Sequence, residues 1–424
     1  MTALDHVIES RLETLAVPLR IRLPSGTTLG PASAKVELAF ADLAPLAAMA
    51  SGNLGAVGEA IVAGRVSVLG SMRDLMAAVA ALIPQQRRRG KPPTWKLALR
   101  RINSVRRHNR ERDAAQIRSH YDVSDEFYQM WLDPLRVYSC AYFRDPQMTL
   151  AEAQVAKLDH ICRKLDLREG ERFADIGAGW GGLLMHAAEN YGVKATGITL
   201  SKNQFNHVSR MIDERGLSER VQILLCDYRD LKPEAPFDKL ASVGMFEHVG
   251  RANLTTYFGC IRDLLRPGGL ALNHGITVSG LGHGDVGGGM GDFIEKFIFP
   301  GGELVHVSRA ISSLSGVGLE MLDVENLRPH YARTLWSWSD RLEACLPEAE
   351  SILARDRAPE NAAEVLRSYR LYLAGCALAF TERWVSLYQI LISRPGPGDE
   401  IPGLPGSDSA YPFRRDYMYR PGQR

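Results

Sequence analysis

The ten residues Phe173-Ala-Asp-Ile-Gly-Ala-Gly-Trp-Gly-Gly182 carry the strongest signal for the fold, because an apolar run leads directly into a glycine-rich turn. Glycine lets the backbone turn sharply and approach a ligand closely, since a Cβ atom would collide there. Further apolar runs follow, with helical patterns between them: VKATGIT, VQILLCD, KLASVGM and LALNHGI. This alternation predicts a doubly wound, Rossmann-like α/β sheet.

Asp175 precedes the glycines, and this order separates two classes of nucleotide site. A dinucleotide site uses GxGxxG and places a helix N-terminus on a pyrophosphate. A carboxylate at this point disfavours a pyrophosphate and suits a ligand with an ammonium group, such as S-adenosylmethionine. We therefore predict an S-adenosylmethionine site; the simpler explanation is that the glycines only form tight turns.

Polar residues at the ends of the other strands extend this predicted site. Ligands of open α/β sheets bind beyond the carboxyl ends of the strands, so these residues should converge on one crevice. The second strand ends in Thr199 rather than in an acid that would hold a ribose, so Gln204 or another polar group is expected to take that part. The predicted cofactor-binding residues are Tyr138, Ser139, Asp175, Gly177, Gly179, Gly181, Thr199, Leu200, Ser201, Gln204, Asp227, Tyr228 and Arg229.

Five motifs follow one another along the chain: HYD at 120–122, VYSCAYF at 137–143, GMFEHV at 244–249, NHGI at 273–276 and RPHY at 328–331. In order and spacing they resemble the cyclopropane-fatty-acyl-phospholipid synthase family, which includes the mycolic-acid cyclopropane synthases. The resemblance covers residues 116–394 and implies a class I methyltransferase sheet with a helical cap. It implies that an acyl-chain alkene attacks the sulfonium methyl group, and that the resulting carbocation loses a proton as the ring closes.

The resemblance further implies a bound bicarbonate as the base. The matching positions are Cys140, Glu247, His274, Ile276 and Tyr331, with Cys140 and Ile276 offering backbone N–H groups. Glu247 would orient the anion through a protonated or bridging contact, because two bare negative charges repel. Taken singly, His274 also fits a hydrogen-bonded core histidine, Tyr331 a packing residue and Cys140 a small buried thiol.

Aromatic side chains near these motifs are expected to stabilise the cation, because ring faces attract positive charge. The candidates are Tyr138, Tyr142, Phe143, Phe246 and Tyr331.

Cys376 shares the apolar face of a predicted helix with Tyr369, Tyr372 and Phe380. The family carries a cysteine at this place that is assigned to the active site, so Cys376 is a candidate catalytic residue. The pattern places no base or cation beside it to lower its pKa, and we favour a structural or substrate-tunnel thiol.

Residues 1–84 are predicted to form a small α+β domain of a lipid-binding type. Mycolic members of the family that the chain resembles usually lack such a module, so the resemblance implies the phospholipid-modifying branch. LRIRLPSGTTLG is expected to form two short strands. Helices are expected in the three stretches that follow: VELAFADLAPLAAMAS, GAVGEAIVAG and MRDLMAAVAAL.

Residues 85–115 are predicted to be a basic linker. From Gln85 to Asp113 there are 11 Lys and Arg residues against two acids, although the whole chain carries only +2. The segment is either a solvated connector or an anchor to an anionic membrane surface, where each Lys or Arg contributes about 1 kcal/mol.

The remaining residues are assigned to a catalytic domain with a helical lid (116–394) and a flexible Pro/Gly-rich tail (395–424). We expect the lid, residues 293–393, to be helical, and the Gly-rich stretch Ser279 to Gly291 to be a mobile loop. No metal-type cluster of Cys and His is evident.

The N-terminus lacks a signal-peptide pattern, no run of about 18 apolar residues occurs, and the six cysteines are scattered. We expect a cytoplasmic enzyme, peripheral at the inner membrane face, that acts on unsaturated phospholipid acyl chains. The resemblance is consistent with a homodimer. A methylene- or methyl-branched product is the alternative, and nucleic-acid binding is not expected because the basic residues lack interleaved stacking aromatics.

Overall fold

The computed structural model describes residues 17–82, 123–280 and 304–396, together with Glu9, Leu12 and Met418. It contains a four-stranded and a seven-stranded sheet, each with helices. The predicted α/β architecture with a small N-terminal α+β unit is therefore confirmed. The basic linker, most of the Gly-rich stretch and most of the tail lie outside the described residues.

The smaller sheet forms the N-terminal module, whose strand order is β2-β1-β3-β4. Its elements are β1 (Leu19–Arg22), β2 (Thr28–Leu29), β3 (Val36–Phe40), α1 (Ala44–Ala50), α2 (Leu54–Val62), β4 (Val66–Leu69) and α3 (Met72–Leu82). The predicted hairpin is confirmed by the antiparallel pairing of β1 with β2. The helix predicted over VELAF was wrong: these residues form β3, whose side chains alternate between buried and half-buried, as period 2 requires.

The larger sheet has the order β10-β11-β9-β8-β5-β6-β7. Its strands are β5 (Arg172–Ile176), β6 (Lys194–Thr199), β7 (Val221–Leu225), β8 (Phe237–Val243), β9 (Leu265–Val278), β10 (Glu320–Asn326) and β11 (Val385–Ser393). Strands β5 to β9 are parallel, whereas β11 runs antiparallel to β9 and β10. From β5 the strand order runs through β6 to β7 on one side and through β8 to β9 on the other. This reversal of direction opens a crevice at the carboxyl ends of β5 and β8.

Nine helices of the described chain belong to this larger unit. They are α4 (Asp125–Trp131), α5 (Leu150–Lys164), α6 (Gly182–Tyr191), α7 (Lys202–Glu214), α8 (Leu254–Leu264), α9 (Val307–Gly316), α10 (Arg328–Glu343), α11 (Leu346–Leu353) and α12 (Pro359–Thr381). Helices α5 to α7 share one apolar core with the sheet, and α8 and α9 share another. Helices α10 to α12 form a cap whose core is continuous with that of the N-terminal module.

The prediction that residues 293–393 are helical was wrong for two strands, β10 and β11. Almost every residue of β11 is buried, because the strand lies inside the sheet between β9 and β10. A strand buried on both faces shows a continuous apolar run instead of alternation, and such a run resembles a buried helix.

Helix α5 begins at a capping box, in which Thr149 and Glu152 each bind the other's backbone N–H. Val155 lies on its outer face and is 45% exposed. The buried face carries Gln154 and Lys157, two polar side chains that point toward the site described below.

The N-terminal module is tied to the cap by polar contacts as well as by the shared core. Arg73 of α3 donates from Nε and Nη2 to the two carboxylate oxygens of Asp340 on α10, at 2.7 and 2.6 Å. Arg367 of α12 donates from Nε to the carbonyl oxygen of Val62 at 2.7 Å. Within the described ranges, no helix is both long and apolar enough to cross a membrane.

Candidate active site

A cavity of about 160 Å³ lies at the carboxyl ends of β5, β6, β7 and β8. Most of the predicted cofactor-binding residues line its wall: Tyr138, Ser139, Asp175, Gly177, Gly179, Thr199, Leu200, Gln204, Asp227, Tyr228 and Arg229. The strand ends therefore converge as the sequence analysis expects, and the role of each residue toward a cofactor stays a prediction.

Two of the predicted residues, Gly181 and Ser201, lie in the framework behind this wall. Gly181 has a φ of +84° and begins α6, and a Cβ atom there would come within 3.0 Å of Val208 on α7. Ser201 caps α7, where its Oγ accepts the N–H of Gln204 at 3.3 Å. In contrast, a Cβ on Gly179 would meet no atom within 4 Å, so the backbone there is open to a ligand.

Thr199 and Gln204 form a buried polar pair at the end of β6. Thr199 Oγ1 donates to Gln204 Oε1 at 2.8 Å and accepts the N–H of Ser201 at 3.1 Å. The hydroxyl thus fixes the orientation of the Gln204 carboxamide, and both residues line the cavity. That Gln204 takes the part of the acid that often holds a ribose stays a prediction.

Asp227 and Arg229 form an ion pair in the wall beyond β7. Arg229 donates from Nε and Nη2 to the two oxygens of Asp227, at 2.7 and 2.6 Å. The charges largely cancel, so this part of the cavity suits an uncharged, planar group better than a phosphate.

Asp175 is the penultimate residue of β5 and is buried. Burial raises the pKa of Asp175 to about 7, and the nearby Lys157 ammonium acts in the opposite direction. Lys157 also lines the cavity, and it was missed by the sequence analysis. The sequence signal for Lys157 is its position among Leu158 and Ile161 on the apolar face of an amphipathic helix.

Beside the cavity, Glu247 and Ile276 are joined directly. Glu247 lies in a short 3₁₀ turn, Phe246–His248. Met245, just before this turn, and His248, its last residue, line the cavity. The N–H of Ile276 donates to Glu247 Oε1 at 2.6 Å. This differs from the prediction that the Ile276 N–H is offered to an anion, because the Glu247 carboxyl already occupies it.

The second oxygen of Glu247 is buried and has no hydrogen-bond partner among the described residues. Burial raises the pKa of Glu247 to about 7, while the Ile276 N–H lowers it. The carboxyl group is therefore poised between its protonated and ionised forms at neutral pH.

His274 lies two residues before Ile276 on β9 and is fully buried. Gln389 of β11, which is opposite His274 in the strand register, places Nε2 at 3.3 Å from Nδ1 of the imidazole. Burial lowers the pKa of His274 well below its usual range, so the ring is neutral. With Nδ1 accepting from Gln389, the ring proton is on Nε2, which is buried without a partner among the residues that the structure describes.

Gln389 is the second residue that the sequence analysis missed. Its segment was assigned to a helix, and in a helix it would not lie opposite His274. The signal available in the sequence was a lone glutamine within the apolar run VSLYQILIS.

Cys140 lies between the cofactor cavity and the start of α10. Its Sγ donates to the carbonyl oxygen of Ala141 at 3.2 Å, and the next residue's N–H donates to Thr334 Oγ1 at 3.0 Å. Burial raises the pKa of Cys140. The thiol is therefore no nucleophile, in agreement with a role through the backbone or through packing.

Tyr331 and Cys376 come from the cap. The ring of Tyr331 packs on Phe380, with centroids 4.7 Å apart, and Phe380 lies one helical turn beyond Cys376 on α12. Burial raises the pKa of Cys376 to about 12, which fits the structural or tunnel thiol favoured above.

The structure divides the five aromatic candidates for cation stabilisation. Tyr138 lines the cavity, and its hydroxyl donates to that of Tyr372 on α12 at 3.3 Å. Tyr142 stacks instead on His160, with centroids 4.1 Å apart, and Phe143 lies under Arg333. Phe246 packs against Tyr257 and Phe258 in the core behind the sheet. Tyr138 and Tyr331 are thus the candidates nearest the α12 face of the cap.

Known proteins share both the sequence and the fold. The model of the family described as "Mycolic acid cyclopropane synthetase" matches residues 108–390. The chain is 40% identical over 415 residues to a Pseudomonas putida protein named "Probable fatty acid methyltransferase", a match that covers 96% of this chain and 98% of that one. It is 40% identical over 277 residues to the cyclopropane-fatty-acyl-phospholipid synthase of Escherichia coli K12, covering 65% of this chain and 67% of that one.

Two solved structures place the fold. A mycolic acid cyclopropane synthase, complexed with S-adenosylhomocysteine and CTAB, superposes with a TM-score of 0.61 at 35% identity, covering 66% of this chain and 98% of that one. Coclaurine N-methyltransferase, bound to N-methylheliamine and S-adenosylhomocysteine, has a TM-score of 0.64 at 19% identity, covering 82% of this chain and 99% of that one, and so shows the fold alone. The chain therefore belongs to the mycolic acid cyclopropane synthetase family and is an S-adenosylmethionine-dependent methyltransferase of the cyclopropane synthase type.

Proposed function

We propose that this enzyme adds the methyl carbon of S-adenosylmethionine to the double bond of an unsaturated phospholipid acyl chain and closes a cyclopropane ring. The observation that carries the proposal is the pair of buried polar atoms beside the cofactor cavity, Glu247 Oε2 and His274 Nε2. They lie in a site whose thiols, Cys140 and Cys376, are not ionised. Such a site suits an apolar substrate that is not activated by a protein nucleophile.

The reaction balances without a further reactant. The π electrons of the alkene form a bond to the methyl carbon, and the carbon–sulfur bond breaks with its electron pair left on sulfur as S-adenosylhomocysteine. A C–H bond of the added methyl group then supplies the electrons of the second ring bond, and its proton leaves. Because an alkene is a poor nucleophile, most of the rate must come from alignment of the two reactants.

Bicarbonate fits the chemistry of Glu247 and His274 and would supply the base for that proton. The neutral His274 carries its proton on Nε2, and a protonated Glu247 presents an O–H at Oε2, so both atoms are donors suited to an anion. Since the Ile276 N–H is bound to Glu247, Ile276 would act by holding that carboxyl in place. Cys140 and Tyr331 complete the proposed set, Tyr331 from the cap side.

The alternative product is a methylene or methyl branch on the same chain. The name of the Pseudomonas putida relative, which matches nearly the full length, favours it. A methylene branch forms when a 1,2-hydride shift first moves the positive charge onto the carbon that bears the new methyl group, which then loses its proton to leave a C=CH₂ bond. A methyl branch requires in addition a separate reductase that supplies a hydride and a proton.

The experiment is the fatty-acid profile of a bacterial host that lacks its own cyclopropane synthase and expresses this chain. We expect phospholipid acyl chains that gain one CH₂ for each double bond lost, and that open under acid methanolysis. An added carbon that resists methanolysis would establish the branched product and reject the ring. If the host that expresses the unchanged chain has the same fatty-acid profile as the host that expresses Glu247→Gln, the lipid substrate is rejected.

The N-terminal module is proposed to contact the lipid. A small apolar pocket lies between its sheet and helices, with Leu371 of α12 at one side. Every lining residue is apolar, which suits hydrocarbon; examples are Leu38, Val57 and Met76. The proposed lipid contact would therefore act directly on the cap that carries Cys376.

A further inference from the structure

Lys157 of α5 is a buried lysine that the proposed reaction does not use. Its side chain is 2% exposed, and its Nζ donates to Ser139 Oγ at 2.8 Å. Both residues lie in the wall of the cofactor cavity, together with Asp175. A buried ammonium group is costly unless its partners use the charge, so its presence in a binding wall requires an explanation.

Gln154, one turn earlier on the same face of α5, shows that this helix holds the segment before Cys140 in place. Its Nε2 donates to the carbonyl oxygens of Val137 and Ser139, at 3.1 and 2.9 Å. Gln154 therefore fixes the backbone of Ser139, and Lys157 fixes the hydroxyl. Gln154 holds this stretch of backbone without a contribution from Lys157. The charge of Lys157 therefore has an effect other than holding the backbone.

The charge acts on the carboxyl groups around it. Burial lowers the pKa of Lys157 to about 8, whereas the carboxyl groups of Asp133 and Asp175 raise it. Asp133 already accepts the N–H groups of Leu135 and Val137, each at 2.9 Å. Asp175 has the cavity in front of it, and Lys157 is the charged group that lowers its pKa against burial.

The other charged groups of the cavity wall are engaged elsewhere or lie on other segments. Arg136 pairs with Asp125 at 3.2 Å, and Arg229 pairs with Asp227 at 2.6 Å. His248 lies on the 3₁₀ turn after β8. This leaves Lys157 as the described cation that favours the ionised form of Asp175.

We propose that Lys157 is a positioning residue for the cofactor: its ammonium group shares the cavity wall with Asp175 and holds the Ser139 hydroxyl there, so that the Asp175 carboxylate can accept a hydrogen bond from the ammonium group of S-adenosylmethionine. The inference rests on the proposed placement of that ammonium group at Asp175. Lys157 also repels the ligand's positive charges. Its net effect is favourable because a protonated Asp175 would be a far weaker partner for a cation than a carboxylate.

The test is the dissociation constant of S-adenosylhomocysteine between pH 6 and 8.5, measured calorimetrically for the full chain and for Lys157→Met. In the unchanged protein, affinity should fall as pH drops below about 7, where Asp175 takes up a proton. In Lys157→Met the fall should begin at higher pH, and each unit of displacement weakens binding at pH 7 by up to about tenfold. The two affinities should converge above about pH 8, where Lys157 itself loses its proton.

Two controls separate this effect from a general loss of structure. The ligand 5′-methylthioadenosine lacks the amino-acid part, so Lys157→Met should leave its affinity unchanged at every pH. Lys157→Arg keeps the charge and should restore the pH midpoint even where its different shape lowers affinity. Equal weakening of S-adenosylhomocysteine at all pH values, tighter binding by Lys157→Met, or a change for 5′-methylthioadenosine would each overturn the inference.

Asp175→Asn distinguishes this inference from the placement on which it rests. We expect this variant to bind S-adenosylhomocysteine weakly and without pH dependence. Unchanged affinity in Asp175→Asn would reject the placement of the ammonium group. Weak binding by Asp175→Asn together with an unshifted profile in Lys157→Met would reject the role of Lys157 alone.

Discussion

The carboxyl group of Glu247 is proposed to serve the reaction, but its ionised form lowers the stability of the folded protein. Its contact with the Ile276 N–H at 2.6 Å orients one oxygen, and burial of the other raises the pKa to about 7. An unfolded glutamate ionises near pH 4.5, so the folded state binds more protons between these two values. Stability is therefore fully present at low pH, falls as pH rises toward 7, and stays reduced above it.

Glu247→Gln should consequently lose activity and gain stability. The amide keeps the shape of the side chain and can still donate to an anion, but it cannot exchange a proton with the bound base, so turnover should fall by about 100-fold or more, as for a removed acid–base group. At pH 8 the thermal transition should lie above that of the unchanged protein, while S-adenosylhomocysteine affinity stays nearly the same. Scanning calorimetry and product assays measure both; near-normal turnover would refute the assigned role.

Glu325 is a matched control, because folding lowers the pKa of its carboxyl group instead of raising it. Burial raises its pKa, but the hydrogen bond from His160 and the charge of Lys164 outweigh this and lower the pKa to about 2. Its ionised form stabilises the fold above the unfolded pKa, and this contribution is lost as pH falls toward 2. Glu325→Gln should thus lower the thermal transition at pH 8, and a rise in both variants would contradict the assignment of charge states.

Helix α3 and helix α10 connect the N-terminal module to the cap, and one arginine makes most of the polar contact. Arg73 forms its two hydrogen bonds to Asp340 and also lies over the ring of Trp336, 4.3 Å from the centroid. Both charged side chains are half exposed, so the ion pair should contribute about 1 kcal/mol or less. The stacked guanidinium adds roughly 0.5–1 kcal/mol.

Arg73→Met should therefore destabilise the docked module more than Asp340→Asn does. The methionine removes both the ion pair and the ring contact, whereas the asparagine removes the charge and leaves the ring contact. Limited proteolysis of the module and its unfolding midpoint report the difference. Arg65→Met, which breaks a pair with Asp42 inside the module, is the control; equal effects of the two docking variants would show that the ring contact contributes nothing.

The same elements show how much of the molecule can be predicted from its sequence. The five parallel strands were predicted because local apolar runs define them. Strand β11 was assigned to a helix, since burial on both faces hides its period of two, and Gln389 was missed as a result. Lys157 was missed because its partners, Ser139 and Asp175, are 18 residues away on each side and meet it only in the folded chain. The convergence of strand-end residues on one cavity follows from the sheet topology. The contacts between α5, β9 and β11 do not follow from it.

At the scale of the whole molecule, charge is separated along the chain. The segment from Gln85 to Asp113 carries 11 basic residues and two acids within a chain of net charge +2, so the rest of the molecule is acidic overall. This segment lies between the N-terminal module and the catalytic unit, outside the described residues. An acidic body is repelled by an anionic membrane, and the segment would supply the attraction.

Neutralising Arg87, Arg88, Arg89, Arg100 and Arg101 to glutamine should weaken sedimentation with anionic liposomes at low salt. Each removed charge lowers the attraction by about 1 kcal/mol near the surface, and added salt should diminish the difference. The control variant carries glutamine at five exposed cations of the catalytic unit: Lys194, Arg210, Arg220, Lys232 and Arg383. Equal loss in both variants would indicate a general charge effect and reject the segment as an anchor, as would unchanged liposome binding.

The protonated state of the core thiols also bears on how the protein withstands oxidants. Peroxides and alkylating agents attack thiolates, and burial keeps Cys140, Cys162 and Cys376 protonated. Cys226 and Cys345 are only half-buried, but their thiol pKa values are raised as well. The thiols of Cys140 and Cys376 at the candidate site therefore do not offer the reactive anion, and we expect peroxides to attack other side chains first.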